Sequence, residues 1–214
     1  MRETVINAIA ASKLIVIVRG VDPAAFLPLA EALYAGGVRA MECTYDASGR
    51  IPDEAVARGI GALAEHFGDT VHVGAGTVLT EEQVTRTAAV GGRFIISPDT
   101  DPAVIAKTRK EGLVSIPGAF TPTEIKTAHA SGADYVKVFP VTALGPHYIK
   151  DIRAPLSHIR LLAVGGITPE NVRDYLDAGV CGVGVSSGIL DKKLLAAGDY
   201  AGITNLARAF TAQL

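Results

Sequence analysis

One pattern repeats about eight times along this chain: a short apolar run, a helical segment, and a glycine. The first run, Leu14–Val18, is continuous and mostly β-branched, as is typical of a strand buried on both faces of a parallel sheet. About eight strand–helix units in about 200 residues predict an α/β fold, a parallel eight-stranded (β/α)8 TIM barrel forming a single domain over residues 1–214. The other predicted strands lie near residues 40–45, 70–76, 94–97, 114–117, 135–139, 160–164 and 181–186.

Polar residues that can cap a first helical turn precede most helical segments, and glycines follow most of them. A doubly wound open sheet is the alternative fold, but no G-x-G-x-x-G motif follows the first strand. The predicted helix starts are Asp22-Pro23, Thr80–Glu82, Asp101-Pro102, Thr121–Glu124 and Thr168–Glu170.

Composition restricts the class of protein. A hydrophobic content of 49% with 20% charged residues predicts a sizeable core, and a net charge of -2 argues against a nucleic-acid partner. Cys43 and Cys181 both lie in apolar runs, where two buried thiols suit a reducing compartment. No apolar run is long enough to span a membrane, and no signal-peptide pattern begins the chain. These features predict a cytoplasmic protein.

The segment Tyr135–Pro140 places one lysine, Lys137, among apolar and aromatic residues. Burial favours the neutral amine, and a neutral lysine can attack a ketone and form a Schiff base. On this segment alone, a strand-edge lysine whose stem covers the core while its head reaches water is the alternative.

The carboxyl ends of the strands line the active site of a barrel, and three of them carry a charge. Arg19, Glu42 and Lys137 end strands 1, 2 and 6, and each would need partners in a dry interior. Their convergence favours a reaction site. The bare backbone at Gly165-Gly166 and the Ser187-Gly188 turn, after strands 7 and 8, is typical of a barrel phosphate site, although such glycines can also serve only tight turns.

Six segments in register resemble the aldolases of 2-dehydro-3-deoxy-6-phosphogluconate and 4-hydroxy-2-oxoglutarate, and the resemblance to the 6-phosphogalactonate branch is strongest over 137–190. Members are class I aldolases on a small barrel that need no metal and no cofactor, and they are typically homotrimers. The segments are Met41–Thr44, Gly74–Val78, Ile96–Pro98, Ile116–Gly118, Lys137–Pro140 and Val164–Ile167.

The resemblance implies roles for individual residues. It implies that Lys137 is the Schiff-base lysine and Glu42 the general acid/base. Thr77 and Pro98 would line the pyruvate pocket, with the Phe139 ring beside the lysine. The phosphate-binding positions would be Gly165, Gly166, Ser187 and Gly188.

Two positions depart from the commonest pattern of that family. Asp46 occupies the position where some members carry a carboxylate-binding arginine, and Arg19 resembles the form in which that arginine ends strand 1. Val164 stands where phosphogluconate aldolases typically have threonine, and it resembles the phosphogalactonate form. Either this valine affects which epimer is cleaved, or it only fills the upper layer of the barrel.

Other polar residues are less informative. Strand alternation predicts that Cys43 points away from the lumen, and His72 is interpreted as a satisfied core or helix-facing residue. His147 lies on the active-site side and could touch substrate. The spacing of the five histidines does not suggest a metal site.

The predicted function is therefore cleavage of a 2-oxo sugar acid phosphate to pyruvate and glyceraldehyde 3-phosphate. Cleavage of 4-hydroxy-2-oxoglutarate to pyruvate and glyoxylate is a further possibility. The alternatives are a sugar-phosphate epimerase, a thiamine-phosphate synthase, or a barrel that binds a sugar phosphate without catalysis.

Overall fold

Parallel strands form a nearly closed barrel with helices around it. The computed structural model describes residues 2–214, so Met1 lies outside the described part of the predicted 1–214 domain. The strands are β1 (Leu14–Val18), β2 (Ala40–Thr44), β3 (His72–Gly76), β4 (Phe94–Ile96), β5 (Val114–Ile116), β6 (Gly118–Ala119), β7 (Val136–Val138), β8 (Leu161–Val164) and β9 (Gly182–Val185).

Helices follow most strands. They are α1 (Arg2–Ser12), α2 (Phe26–Ala35), α3 (Asp53–Phe67), α4 (Glu81–Ala89), α5 (Pro102–Lys110), α6 (Pro122–Ala130), α7 (Gly145–Arg153), α8 (Val172–Asp177), α9 (Lys192–Ala197) and α10 (Tyr200–Thr211), with a 3-10 turn over Pro23–Ala25. Among residues 2–214 no helix is long and apolar enough to cross a membrane.

The predicted barrel is confirmed, with one strand divided in two. The sheet order is β5-β4-β3-β2-β1-β9-β8-β7-β6. β5 pairs with β4, and β6 pairs with β7, so the path from Val114 to Ala119 passes from one edge of the sheet to the other. Pro117 lies at the break, where a residue without an N–H cannot donate to a ladder. Its carbonyl still accepts from Lys137 N at 2.9 Å.

The helix α1 closes the amino-terminal end of the barrel. Val5, Ile6 and Ile9 are buried against lumen residues that include Phe94 and Tyr135. The Tyr135 hydroxyl donates to the Ile6 carbonyl at 2.9 Å. This helix fills the lumen from below and leaves the carboxyl ends of the strands as the open end.

Three of the five predicted helix starts are confirmed, Asp22-Pro23 begins the 3-10 turn that leads into α2, and one start is displaced. Thr80, Asp101 and Thr121 each accept backbone N–H groups as N-caps. The Thr168–Glu170 segment forms a turn instead, because the Asn171 side chain accepts from Thr168 N at 2.8 Å, and α8 begins at Val172.

Candidate active site

A cavity of about 430 Å³ opens at the carboxyl ends of the strands. Most of the predicted site residues line this one cavity. They are Arg19, Thr77, Pro98, Lys137, Phe139, Val164, Gly165, Gly166 and Ser187.

Lys137 is the buried amine of this cavity. It lies in β7, where alternation turns its side chain into the lumen, and only 4% of the residue is exposed. Burial holds its pKa below the ordinary value of 10.5, and the Arg19 charge lowers it further, while Glu42 opposes both. Its Nζ lies 4.7 Å from the centroid of the Phe139 ring, a distance at which an ammonium group is attracted to the ring face.

Glu42 lies fully buried beneath the cavity, in β2. Within residues 2–214 neither of its carboxylate oxygens has a hydrogen-bond partner. Burial therefore raises the pKa of Glu42, and the charges of Lys137 and Arg19 reduce that rise. Gly76 makes room for this carboxylate, because a Cβ there would overlap it. The arrangement gives a carboxyl group that can hold or release a proton near the lysine.

Arg19 and Thr77 join two strand ends across the mouth. Arg19 follows β1 and Thr77 follows β3, and Arg19 Nη2 donates to Thr77 Oγ1 at 3.0 Å. Thr77 adopts a positive φ of 54°, a left-handed conformation that is uncommon for a residue other than glycine. The pair presents a guanidinium and a hydroxyl to whatever occupies the cavity, a combination suited to a carboxylate.

The loop after β8 exposes backbone on the opposite side of the cavity. Gly165 and Gly166 have φ of 111° and 68°, which glycine adopts readily. In the described chain, neither amide donates to a protein backbone acceptor. These free N–H groups and the nearby Ser187 hydroxyl can bind an anion.

Gly188 does not share this cavity. A Cβ at this position would lie 3.0 Å from the Ile167 carbonyl and 3.1 Å from Val185 Cγ1, so the glycine packs against the barrel wall. Gly184, which carried no predicted role, does line the cavity. Because a Cβ at Gly184 would lie 2.8 Å from Val164 Cγ2, this glycine makes room for Val164.

The other lining residues that sequence reasoning missed are Ile17, Ile167 and Val185. Ile17 and Val185 lie in apolar strands and Ile167 in the loop after β8, all without a chemical signal, and only inward alternation could have indicated Ile17. Ser186 stood among the predicted strand ends without a role, and its hydroxyl donates to the Ile17 carbonyl at 2.9 Å.

Asp46 has a structural role in its own loop. Its carboxylate accepts from Ser48 N and Oγ and from the amides of Arg50 and Ile51, at 2.6 to 3.1 Å. These hydrogen bonds, those from Ser48 first, lower the pKa of Asp46. It does not line the cavity that holds Lys137.

The remaining polar residues are placed away from the lysine. Cys43 packs in the layer between barrel and helices, as alternation predicted. His147 is exposed, with Nδ1 3.2 Å from Asp151 Oδ2. His72 is buried, as predicted for a core or helix-facing residue, but it is not satisfied, because its Nδ1 has no partner among the described residues. Cys181 is only half-buried, where a buried thiol was predicted.

Comparison with known proteins gives a consistent result. The family model for KDPG and KHG aldolase, the aldolases of 2-dehydro-3-deoxy-6-phosphogluconate (KDPG) and 4-hydroxy-2-oxoglutarate (KHG), matches residues 5–206. The chain is 38% identical to the 2-dehydro-3-deoxy-6-phosphogalactonate aldolase of Escherichia coli over 81% of this chain and 82% of that one. It is also 38% identical to the KHG/KDPG aldolase of Escherichia coli, over 85% and 83% of the two chains.

A solved structure shares the fold closely. The KDPG aldolase of Legionella pneumophila, with pyruvate captured as a covalent carbinolamine intermediate, superposes with a TM-score of 0.86 at 30% identity, covering 98% of each chain.

Proposed function

The chain belongs to the KDPG and KHG aldolase family, so it is a pyruvate-forming aldehyde-lyase, and we propose that Lys137 forms its Schiff base. The proposed substrates are 2-dehydro-3-deoxy-6-phosphogalactonate and its gluconate epimer. A further proposed substrate is the smaller, unphosphorylated molecule 4-hydroxy-2-oxoglutarate. The observation that carries the assignment is the buried amine of Lys137, whose pKa is lowered by burial within a cavity beside Glu42 and Arg19.

The first half of the reaction forms the iminium. The neutral Lys137 amine attacks the C2 ketone, and the resulting carbinolamine loses water as Glu42 supplies the proton that the leaving hydroxyl needs. Arg19 and Thr77 bind the C1 carboxylate, which fixes C2 against Nζ. The iminium is then the electron acceptor that the cleavage step requires.

The second half breaks the C3–C4 bond. Glu42, buried beneath the cavity, takes the proton of the C4 hydroxyl through a bridging water, and the electron pair of the C3–C4 bond moves into the iminium. The aldehyde leaves and an enamine of pyruvate remains on Lys137. Protonation at C3 by Glu42 and attack of water on the iminium carbon then release pyruvate and the free amine. The lysine supplies the electrophile, so this sequence uses no cofactor.

We propose that the aldehyde half of the substrate extends toward the loop after β8. The free amides of Gly165 and Gly166 and the hydroxyl of Ser187 would bind its phosphate. Val164 contributes an apolar wall beside C4, where a threonine would offer a hydroxyl. Because this wall offers no hydroxyl, the site either favours the galactonate epimer or discriminates less between the galactonate and gluconate epimers.

We also propose a homotrimer in the cytoplasm. Leu79, Phe120 and Leu144 are exposed large apolar residues on loops at the open end of the barrel, which supports an interface between copies. The free thiols of Cys43 and Cys181 support a reducing compartment. Sedimentation equilibrium tests the trimer, and a monomer at micromolar concentration would contradict it.

Trapping with borohydride tests the central assignment. Incubation with pyruvate and borohydride should place a pyruvate-derived mass on Lys137, and the Lys137→Met variant should show neither adduct nor pyruvate release from either sugar acid. Lys126→Met, on an outer helix, is the matched control and should retain both. An adduct on Lys13 or Lys126 would refute the assignment. Absence of any adduct would refute the Schiff-base role of Lys137.

A further inference from the structure

A second cavity, of about 720 Å³, adjoins the candidate active site. Arg19, Ser186 and Ser187 line both cavities, so the two adjoin at these three residues. We call the second cavity the lysine groove, because Lys192 and Lys193 form part of its wall.

The lysine groove carries an excess of positive charge. Lys192 and Lys193 are exposed, and neither forms an ion pair within residues 2–214. The one carboxylate in the wall, Asp191, is engaged as the N-cap of α9, where it accepts from Lys193 N at 2.8 Å and Leu194 N at 3.0 Å. With Arg19 at the shared edge, three cations therefore face one carboxylate.

One of the two shared serines, Ser187, lies where it could bind the same anion as these cations. Ser187 lies where the groove meets the cavity of Lys137, and its hydroxyl makes no hydrogen bond to the protein in the described chain. A phosphate held by Ser187 and the Gly165-Gly166 amides would still have oxygen atoms facing the groove. A dianion in that position attracts two flexible ammonium groups more strongly than a neutral hydroxymethyl group does.

We infer that Lys192 and Lys193 determine specificity by binding the substrate's phosphate from the groove side of Ser187. This inference rests on the proposed function and extends it to residues outside the cavity of Lys137. It implies that the enzyme prefers 6-phosphorylated 2-oxo acids to their unphosphorylated counterparts partly through these two side chains.

The test compares wild type and variants by the ratio of kcat/KM for a phosphorylated substrate to kcat/KM for its unphosphorylated counterpart. For wild type and for Lys192→Ala/Lys193→Ala, kcat/KM is measured for 2-dehydro-3-deoxy-6-phosphogalactonate and for unphosphorylated 2-dehydro-3-deoxygalactonate. The double variant should lower the ratio of the first to the second by roughly fivefold or more, since each exposed ionic contact contributes a few-fold. Lys192→Arg/Lys193→Arg should restore most of the preference.

Matched variants keep the result interpretable. Lys110→Ala/Lys126→Ala removes two positive charges from outer helices, and it should leave the ratio within twofold of wild type. Lys192→Gln/Lys193→Gln repeats the test should the alanine variant fold poorly. A wild-type ratio in both groove variants would overturn the inference, as would an equal fall in the outer-helix control. Failure of the proposed function itself would appear separately, as a wild-type protein that forms no pyruvate adduct on Lys137.

Discussion

Arg19 donates a hydrogen bond to the hydroxyl of Thr77 at 3.0 Å, which links the ends of β1 and β3 across the intervening strand. This hydrogen bond directs the exposed guanidinium toward the rim of the cavity. This anchoring suits a group that must hold a carboxylate while C2 meets Nζ of Lys137.

Arg19→Ala should raise KM for each 2-oxo acid substrate by at least about tenfold, because a charge-assisted hydrogen bond contributes about 1.5–3 kcal/mol. Steady-state kinetics measure the effect. Asp46→Asn is the control, since it keeps an acceptor for the loop amides and should leave KM within about threefold of wild type. A wild-type KM in Arg19→Ala would refute the carboxylate role.

Gly76→Ala should lower kcat by about a hundredfold or more, the scale at which general acid–base groups contribute. The new methyl group would overlap the Glu42 carboxylate in its observed position, so the carboxylate would have to move away from Lys137 or strain the strand. Circular dichroism checks the fold, and Glu42→Gln provides a reference for loss of the carboxylate alone. Normal turnover in Gly76→Ala would show that Glu42 is not needed in its observed position.

Val164→Thr should shift the ratio of kcat/KM for the two 6-phospho epimers toward the gluconate form by roughly fivefold or more. The two side chains have similar shape, so the change mainly adds a hydroxyl that can bind the C4 oxygen in one configuration. Val164→Ile serves as an apolar control. An unchanged epimer ratio in the threonine variant would mean that this position only fills the barrel.

Adduct formation with pyruvate should rise with pH and level off below pH 10.5. Burial holds the pKa of Lys137 below that ordinary value, and the fraction of neutral, nucleophilic amine rises as the pH passes through this pKa. Trapping with cyanoborohydride across a pH series gives the midpoint. In Glu42→Gln the midpoint should move lower still, because the charge of Glu42 raises the pKa of Lys137. A wild-type midpoint at or above 10.5 would contradict a desolvated amine.

Excess EDTA should leave the rate of pyruvate release unchanged, because the iminium on Lys137 accepts the electrons of the broken bond. Over residues 2–214 no group of three His, Cys, Asp or Glu side chains is placed to hold a metal ion. A metal-dependent aldolase treated in parallel confirms that the chelator is effective. Activity that is lost with EDTA and restored by a divalent cation would indicate a different mechanism.

The barrel and the placement of the chemistry in its mouth follow from local sequence patterns. The inward direction of Lys137 and the outward direction of Cys43 both follow from strand alternation. Arg19 and Thr77 share the mouth because parallel strands bring their carboxyl ends to one side.

Features that depend on contacts between distant segments were not predictable in the same way. The short helix α1 has only Val5, Ile6 and Ile9 as an apolar face, and it is stabilised by the lumen that it fills. The division of one strand at Pro117 depends on where two edges of the sheet meet. Gly188 resembles a phosphate-loop residue in sequence, yet Ile167 and Val185 occupy the space beside it.

Closure of the lower end by α1 has a kinetic consequence. Because α1 covers the amino-terminal end of the barrel, water, substrate and both products must pass through the opening at the carboxyl ends of the strands. Under the proposed chemistry the pyruvyl fragment stays tethered to Lys137 after bond cleavage, whereas the aldehyde is free to leave. Departure is therefore ordered, with the aldehyde first and pyruvate second, and in the reverse direction pyruvate must load before any aldehyde can be joined to it.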